Sequence, residues 1–139
     1  IEPILEPFHK KALVLGTGGA SKAIVYGLKS LGIEPVLVSR FKRPGTIQYE
    51  SITADVVREY NVIVNCTPVG MYPKVEECPR LPYEAMDRHN LLYDLIYNPD
   101  ETLFMKMGAK YGAQVKNGLE MLPLQAFASW EFWNGKEQK

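Results

Sequence analysis

Three glycines, Gly16, Gly18 and Gly19, stand where the apolar run of Ala12 to Leu15 meets a helical pattern, in the stretch KALVLGTGGASKAIVYGL. Glycine has no Cβ, so a turn built from it lets the backbone N–H groups at a helix start come close to a phosphate. A second feature lies downstream: the apolar run PVLVS ends on Ser39-Arg40, with Lys42 and Arg43 close behind. A unit that takes NAD carries a carboxylate at this place, which accepts the ribose hydroxyls and would repel a 2′-phosphate. Guanidinium groups do the reverse. The two features together point to an NADP-type dinucleotide. The glycine match alone is short, since Ser21 holds the third position of G-x-G-x-x-G, where a small residue serves helix–strand packing. A βα turn that binds nothing would look the same, and the basic residues alone would pass as solvated loop charges.

Such groups need elements to hold them. Ala12 to Leu15 is wholly apolar, the pattern of a strand buried on both faces. From Ala20 onward Ala23, Ile24, Leu28 and Leu31 recur at helical spacing, with Gly32 placed for a left-handed C-terminal cap. Further strands are predicted at Pro35 to Ser39, near Ile47 to Tyr49, and at Val62 to Asn65, Leu91 to Ile96 and Ala113 to Lys116. Thr53 is placed to cap a short helix through Glu59. Asn98, with Pro99 at the first helical position and Asp100 and Glu101 in the first turn, predicts a helix running to about Tyr111 and ended by Gly112. A last helix is expected from about Glu120 to Trp133. Residues 67–82 hold four prolines in a long loop, which a compact domain keeps for a function. The alternation predicts an α/β fold: a doubly wound parallel sheet, Rossmann-like, of about six strands with helices on both faces. The glycine turn then follows the first strand, where that fold places phosphates.

With 139 residues the chain is one domain by length, large enough for a core but small for a complete two-substrate dehydrogenase. Sixteen basic residues balance sixteen acidic ones, so no overall field favours nucleic acid or an anionic membrane, and any anion site must be local. Cys66 and Cys78 have no metal-type spacing and cannot staple a fold, and His9 and His89 have no partner cluster. A reduced, cytoplasmic protein without metal is the expectation. No run reaches membrane-spanning length. The chain opens on Ile1 without a signal-peptide pattern, as a piece of a longer protein would.

Five motifs in order, GTGGASKA from Gly16, VSR ending at Arg40, NCTPVGM from Asn65, YDLIYNPDET from Tyr93 and NGLEMLPLQA from Asn117, resemble the C-terminal, NADP-binding domain of shikimate dehydrogenase. The resemblance covers nearly the whole chain. It implies that Gly16, Gly18, Gly19 and Ala20 meet the pyrophosphate, that Arg40 with Ser39 clamps the 2′-phosphate, and that Thr67 lies beside the adenosine. Leu95, Gly118 and Met121 would line the nicotinamide, and Tyr97 and Gln125 would reach the hydroxyls of shikimate. Ser39-Arg40-Phe41 replaces the family's commoner Asn-Arg-Thr, and a second family arginine is displaced, leaving Arg43 or Lys42 as substitutes. On residue type alone, Gln125 reads as a solvent-facing helix residue, Tyr97 and Met121 as core, and Asn65 and Asn117 as turn residues.

The resemblance further implies that residues 1–10 end a helix crossing between domains and that 11–139 form the cofactor domain. A lysine with an aspartate partner, the family's proton-transfer pair, would belong to an N-terminal substrate domain absent from this chain. The family reaction is the reversible reduction of 3-dehydroshikimate by NADPH to shikimate, on the way to aromatic amino acids, and this portion alone would be inactive. Two other readings share the cofactor domain: a quinate/shikimate or methylene-tetrahydrofolate dehydrogenase, and a non-catalytic NADP-sensing module.

Overall fold

A strand with apolar residues on both sides cannot face water on either, so runs such as Ala12 to Leu15 and Val62 to Val64 call for a sheet covered twice. In the computed structural model, which describes residues 9–16, 18–69, 74–95 and 101–116, that is the arrangement. The elements in chain order are β1 (Lys11–Leu15), α1 (Gly19–Ser30), β2 (Glu34–Ser39), β3 (Thr46–Gln48), α2 (Ala54–Glu59), β4 (Val62–Asn65), β5 (Leu91–Asp94), α3 (Leu103–Lys110) and β6 (Gln114–Lys116). All the strands pair in parallel, in the order β3-β2-β1-β4-β5-β6.

Side-chain alternation along β1 divides the core. Leu13 and Leu15 join Val57 of α2, Ile63, Leu92 and Phe104 of α3 on one face. Ala12 and Val14 join Ile24 and Leu28 of α1, with Val62, Val64 and Tyr93, on the other. Helices thus cover both faces, as the strand pattern predicts. Gly32 and Gly112 take the left-handed conformation just beyond α1 and α3, closing both helices where the sequence places their ends.

The order also fixes where a ligand fits. From β1 the chain winds outward through β2 and β3, then returns to lay β4 against the other side of β1. The crevice beyond the carboxyl ends of β1 and β4 is the switch point at which open α/β sheets bind ligands.

Two local expectations are corrected. Helix α3 starts at Leu103, so Glu101, expected within the first turn, precedes it. Its N-cap is Thr102, whose hydroxyl accepts from the Met105 N–H and donates to the buried Asp94 carboxylate at 2.7 Å. A tertiary bond to the end of β5 sets the start, overriding local signals four residues earlier. Strand β5 correspondingly stops at Asp94, short of the expected Ile96. Thr53 does hold the N-cap position of α2, though its side chain makes no capping bond. The two histidines meet ring to backbone, His9 Nε2 lying 2.9 Å from the His89 carbonyl. The expected last helix, Asn98 and residues 1–8 lie outside the described residues.

Candidate functional site

The glycine turn sits on the switch point and is shaped by it. Gly16 continues β1 with φ of +107°, a conformation side-chain-bearing residues rarely adopt, and its N–H donates to the Val38 carbonyl at 2.9 Å. A Cβ on Gly16 would lie 3.2 Å from the Thr67 methyl and 3.5 Å from the Cys66 backbone. The absent side chain is therefore what lets the ends of β1 and β4 close on one another. Cys66 N–H donates to the Leu15 carbonyl at 3.0 Å, completing that seam.

Gly18 is different. As N-cap of α1 it has ordinary φ of −80°, and a Cβ there would meet nothing within 4 Å. Among the described residues no side chain caps α1, and no acidic residue stands in its first turn, which begins with Gly19 and Ala20. Helix N-termini present unpaired N–H groups and a partial positive charge, commonly neutralised by such a side chain. Such an end, with space beside Gly18 among the described residues, is chemically suited to an anion. Ser21 is buried, and its hydroxyl donates to the Gly18 carbonyl at 2.6 Å, so the third position of the motif ties the turn to the helix.

Beside this cradle runs a chain of polar side chains. Asn65 and Asp94 end β4 and β5 directly opposite each other, and both, like Thr102, are fully buried. Asn65 Oδ1 accepts from the Thr67 N–H at 3.1 Å and from the Thr67 hydroxyl at 2.6 Å, while Nδ2 donates to Asp94 Oδ1 at 3.2 Å. Thr67 Oγ1 in turn accepts from the Val69 N–H at 3.2 Å. The segment after β4 is thereby held through β5 to the cap of α3. Cys66, at the same seam, stays a neutral thiol: burial, with the Asp94 charge adding to it, pushes its pKa up to about 12.

Removing Asn65 should show what this network supports. Asn65→Ala deletes both holds on Thr67 and a donor to Asp94, at an expected cost of about 2–4 kcal/mol in urea unfolding. A loss within about 0.5 kcal/mol of zero, typical of a surface change, would mean that something else fixes the switch-point segment.

The basic strand end lies across the sheet from these groups. Buried Ser39 turns the chain by accepting the Phe41 N–H on its hydroxyl at 3.1 Å. Arg40 is exposed, its guanidinium carbon 5.4 Å from the centre of the exposed Phe41 ring. It lines a cleft of about 550 Å³ together with Tyr49 and with Val69 of the segment after β4. Burial raises the Tyr49 pKa, against the lowering effect of the Arg40 charge. Lys42 and Arg43 are exposed and are not among the cleft's lining residues; the Arg43 carbonyl accepts the Thr46 N–H and hydroxyl instead.

Of the residues singled out from the sequence, the structure brings together Gly16, Gly18, Gly19, Ala20 and Thr67 at the switch point. Leu95 lies nearby, half-buried, its N–H on the Asn65 carbonyl at 3.2 Å. Tyr97, Gly118, Met121 and Gln125 lie outside the described residues. Sequence reasoning read Asn65 as a turn residue and passed over Asp94 and Thr102. The available signal was a polar residue closing a buried apolar run, which must find partners. Among the described residues no group of His, Cys, Asp and Glu could hold a metal, and no helix is long and apolar enough to cross a membrane.

No protein-family model matches the chain. Curated relatives do. It is 34% identical over 143 residues to the shikimate dehydrogenase (NADP(+)) of Methanococcus maripaludis, covering 93% of this chain and 51% of the relative. To that of Caldanaerobacter subterraneus it is 35% identical over 142 residues, covering 91% and 50%. The chain thus spans about half the length of the curated relatives it matches. Among solved structures, shikimate 5-dehydrogenase of Thermus thermophilus in complex with NADP(H) and shikimate aligns with a TM-score of 0.67 at 28% identity, over 96% of this chain and 51% of that one. Along nearly its whole length the chain thus shares about a third of its residues with half of named shikimate dehydrogenases, and it has the fold of the matching half of a solved one.

Proposed function

We propose that the chain is the C-terminal, NADP-binding domain of a shikimate dehydrogenase, holding NADPH while 3-dehydroshikimate is reduced to shikimate. The observation that carries this is the uncapped N-terminus of α1 beside Gly18, opening on the switch point with empty space where a Cβ would stand. A pyrophosphate fits such a cradle: backbone N–H groups meet its oxygens, and the helix end favours its charge. Arg40, exposed at the end of β2, supplies the planar donor set that suits a 2′-phosphate.

When bound, the cofactor supplies the hydride; what this chain contributes is position. Gly16, Gly18, Gly19 and Ala20 would hold the pyrophosphate, and Thr67, fixed by Asn65, would flank the adenosine half. Leu95, Gly118 and Met121 would flank the nicotinamide, and Tyr97 and Gln125 would meet the substrate hydroxyls. The lysine and aspartate that move the proton would come from a second domain, on the other side of the cleft. A cytoplasmic location goes with this reading.

Calorimetric titration with NADPH and NADH tests it. A charge-assisted bond to the 2′-phosphate contributes about 1.5–3 kcal/mol, so NADPH should bind about ten- to a hundredfold more tightly, and Arg40→Ala should erase most of that ratio. Equal affinities in the unmutated chain at moderate salt would remove Arg40 from the site.

A further inference from the structure

The loop that follows β4 returns to the end of β2, and one wall of the Arg40 cleft is made by Glu77, Pro79 and Arg80. Two arginines from segments far apart in sequence, Arg40 and Arg80, therefore line one space of about 550 Å³. Among the described residues the ion pairs are Lys11–Glu59, Arg58–Asp55 and His89–Asp87, and none engages either arginine.

Arg80 is held from behind. Pro79 is buried, and its carbonyl accepts the hydroxyl of buried Tyr83 at 2.6 Å; the Tyr83 ring packs edge-on against Phe104 of α3, with centroids 6.3 Å apart. The backbone preceding Arg80 is thus anchored in the core, while Arg80 itself is exposed and lines the cleft. A group placed in advance loses less freedom on binding.

Charge count gives the cleft its selectivity. Among the described lining residues Glu50 and Glu77 stand beside the two arginines, so their formal charges cancel. A phosphomonoester carries a charge of about −1.5 to −2 near pH 7, which a single guanidinium cannot balance. Taking away either arginine leaves these described residues net negative, so that the two carboxylates oppose the phosphate. Lys42 and Arg43, the neighbours of Arg40 in sequence, do not line this space.

We propose that Arg80 is the second cation of the 2′-phosphate site, sharing the phosphomonoester of NADP with Arg40 from the opposite wall of the cleft. The assignment rests on the reading of this chain as an NADP-binding domain.

Titration of the 139-residue chain with NADP+ and NAD+ at one fixed ionic strength tests it, using Arg80→Gln, Arg40→Gln and, as a control, Arg88→Gln at an exposed arginine outside the cleft. Arg80→Gln should weaken NADP+ about tenfold and leave NAD+ within about twofold, while Arg88→Gln changes neither. If Arg80→Gln leaves NADP+ unchanged while Arg40→Gln weakens it, the role of Arg80 is overturned and the NADP reading stands. An equal loss of NAD+ and NADP+ would also overturn it, since Arg80 would then shape the cleft without meeting the phosphate. Equal affinity of the unmutated chain for the two cofactors would overturn the underlying reading and this inference with it.

Discussion

On its own the 139-residue chain is expected to bind NADP+ and to show no shikimate-dependent reduction of it above background. The chain spans about half the length of its curated relatives, and Tyr97 and Gln125 on the proposed reading form only one wall of a two-domain cleft. The described residues at the switch point are committed to structure. Thr67 bonds to Asn65, Asn65 and Thr102 each bond to Asp94, and the Cys66 thiol, its pKa pushed up to about 12, carries no charge near neutrality. None is placed as a proton donor and acceptor for a substrate oxygen. Positioning supplies about 7–11 kcal/mol of a barrier and proton transfer a further factor of about 10²–10⁴, so half a site is close to none. Joined in one chain to a complementary half such as the relatives carry, the domain should turn over. Gln125→Ala in that protein should weaken shikimate use and spare NADP+ binding. Robust turnover by residues 1–139, surviving repurification, would place the catalytic groups in this domain after all.

Gly18→Val should abolish binding of NADPH and NADH alike, by about a hundredfold or more, with the fold intact. The position separates binding from folding with unusual clarity. Its backbone, with φ of −80° and ψ of −167°, is one that any residue adopts, and among the described residues beyond its chain neighbours a Cβ meets no atom within 4 Å. The branches of valine would instead occupy the space that the pyrophosphate needs, and both cofactors share that group. Gly16 could not serve the same purpose. A side chain there would strain a φ of +107° and press on Thr67, so lost binding would be confounded with lost stability. Circular dichroism and thermal melting of the Gly18 variant, beside calorimetry, check the expectation. Binding retained in a folded Gly18→Val protein would reduce the glycines to turn residues.

The sheet was legible because its central strands are apolar: Ala12 to Leu15 and Val62 to Val64 have no polar face to offer water, the mark of a covered parallel sheet. What stayed hidden depended on contacts distant in sequence. Asn65 and Asp94 become partners only when β4 and β5 align in parallel with these two residues in register. The same Asp94 then draws Thr102 into the cap of α3, against the local start signals from Asn98 to Glu101. Arg80 lies in a proline-rich loop whose composition says nothing of where it returns; Tyr83, bonding Pro79 from the core, decides that. The reading proposed for Arg40 rests on local signals instead, the end of one strand and the absence of a carboxylate there.

The central claim is that the glycine turn and the end of β4 form one dinucleotide site. Amide chemical-shift mapping of the ¹⁵N-labelled chain titrated with NADP+ tests it most directly. The account predicts that the largest shifts fall on Gly16, Gly18, Gly19 and Ala20, with Arg40 and Thr67 next, and that NAD+ reproduces those of the turn but not that of Arg40. Saturable binding whose shifts leave the turn and Thr67 untouched, or no shifts at millimolar NADP+, would contradict it.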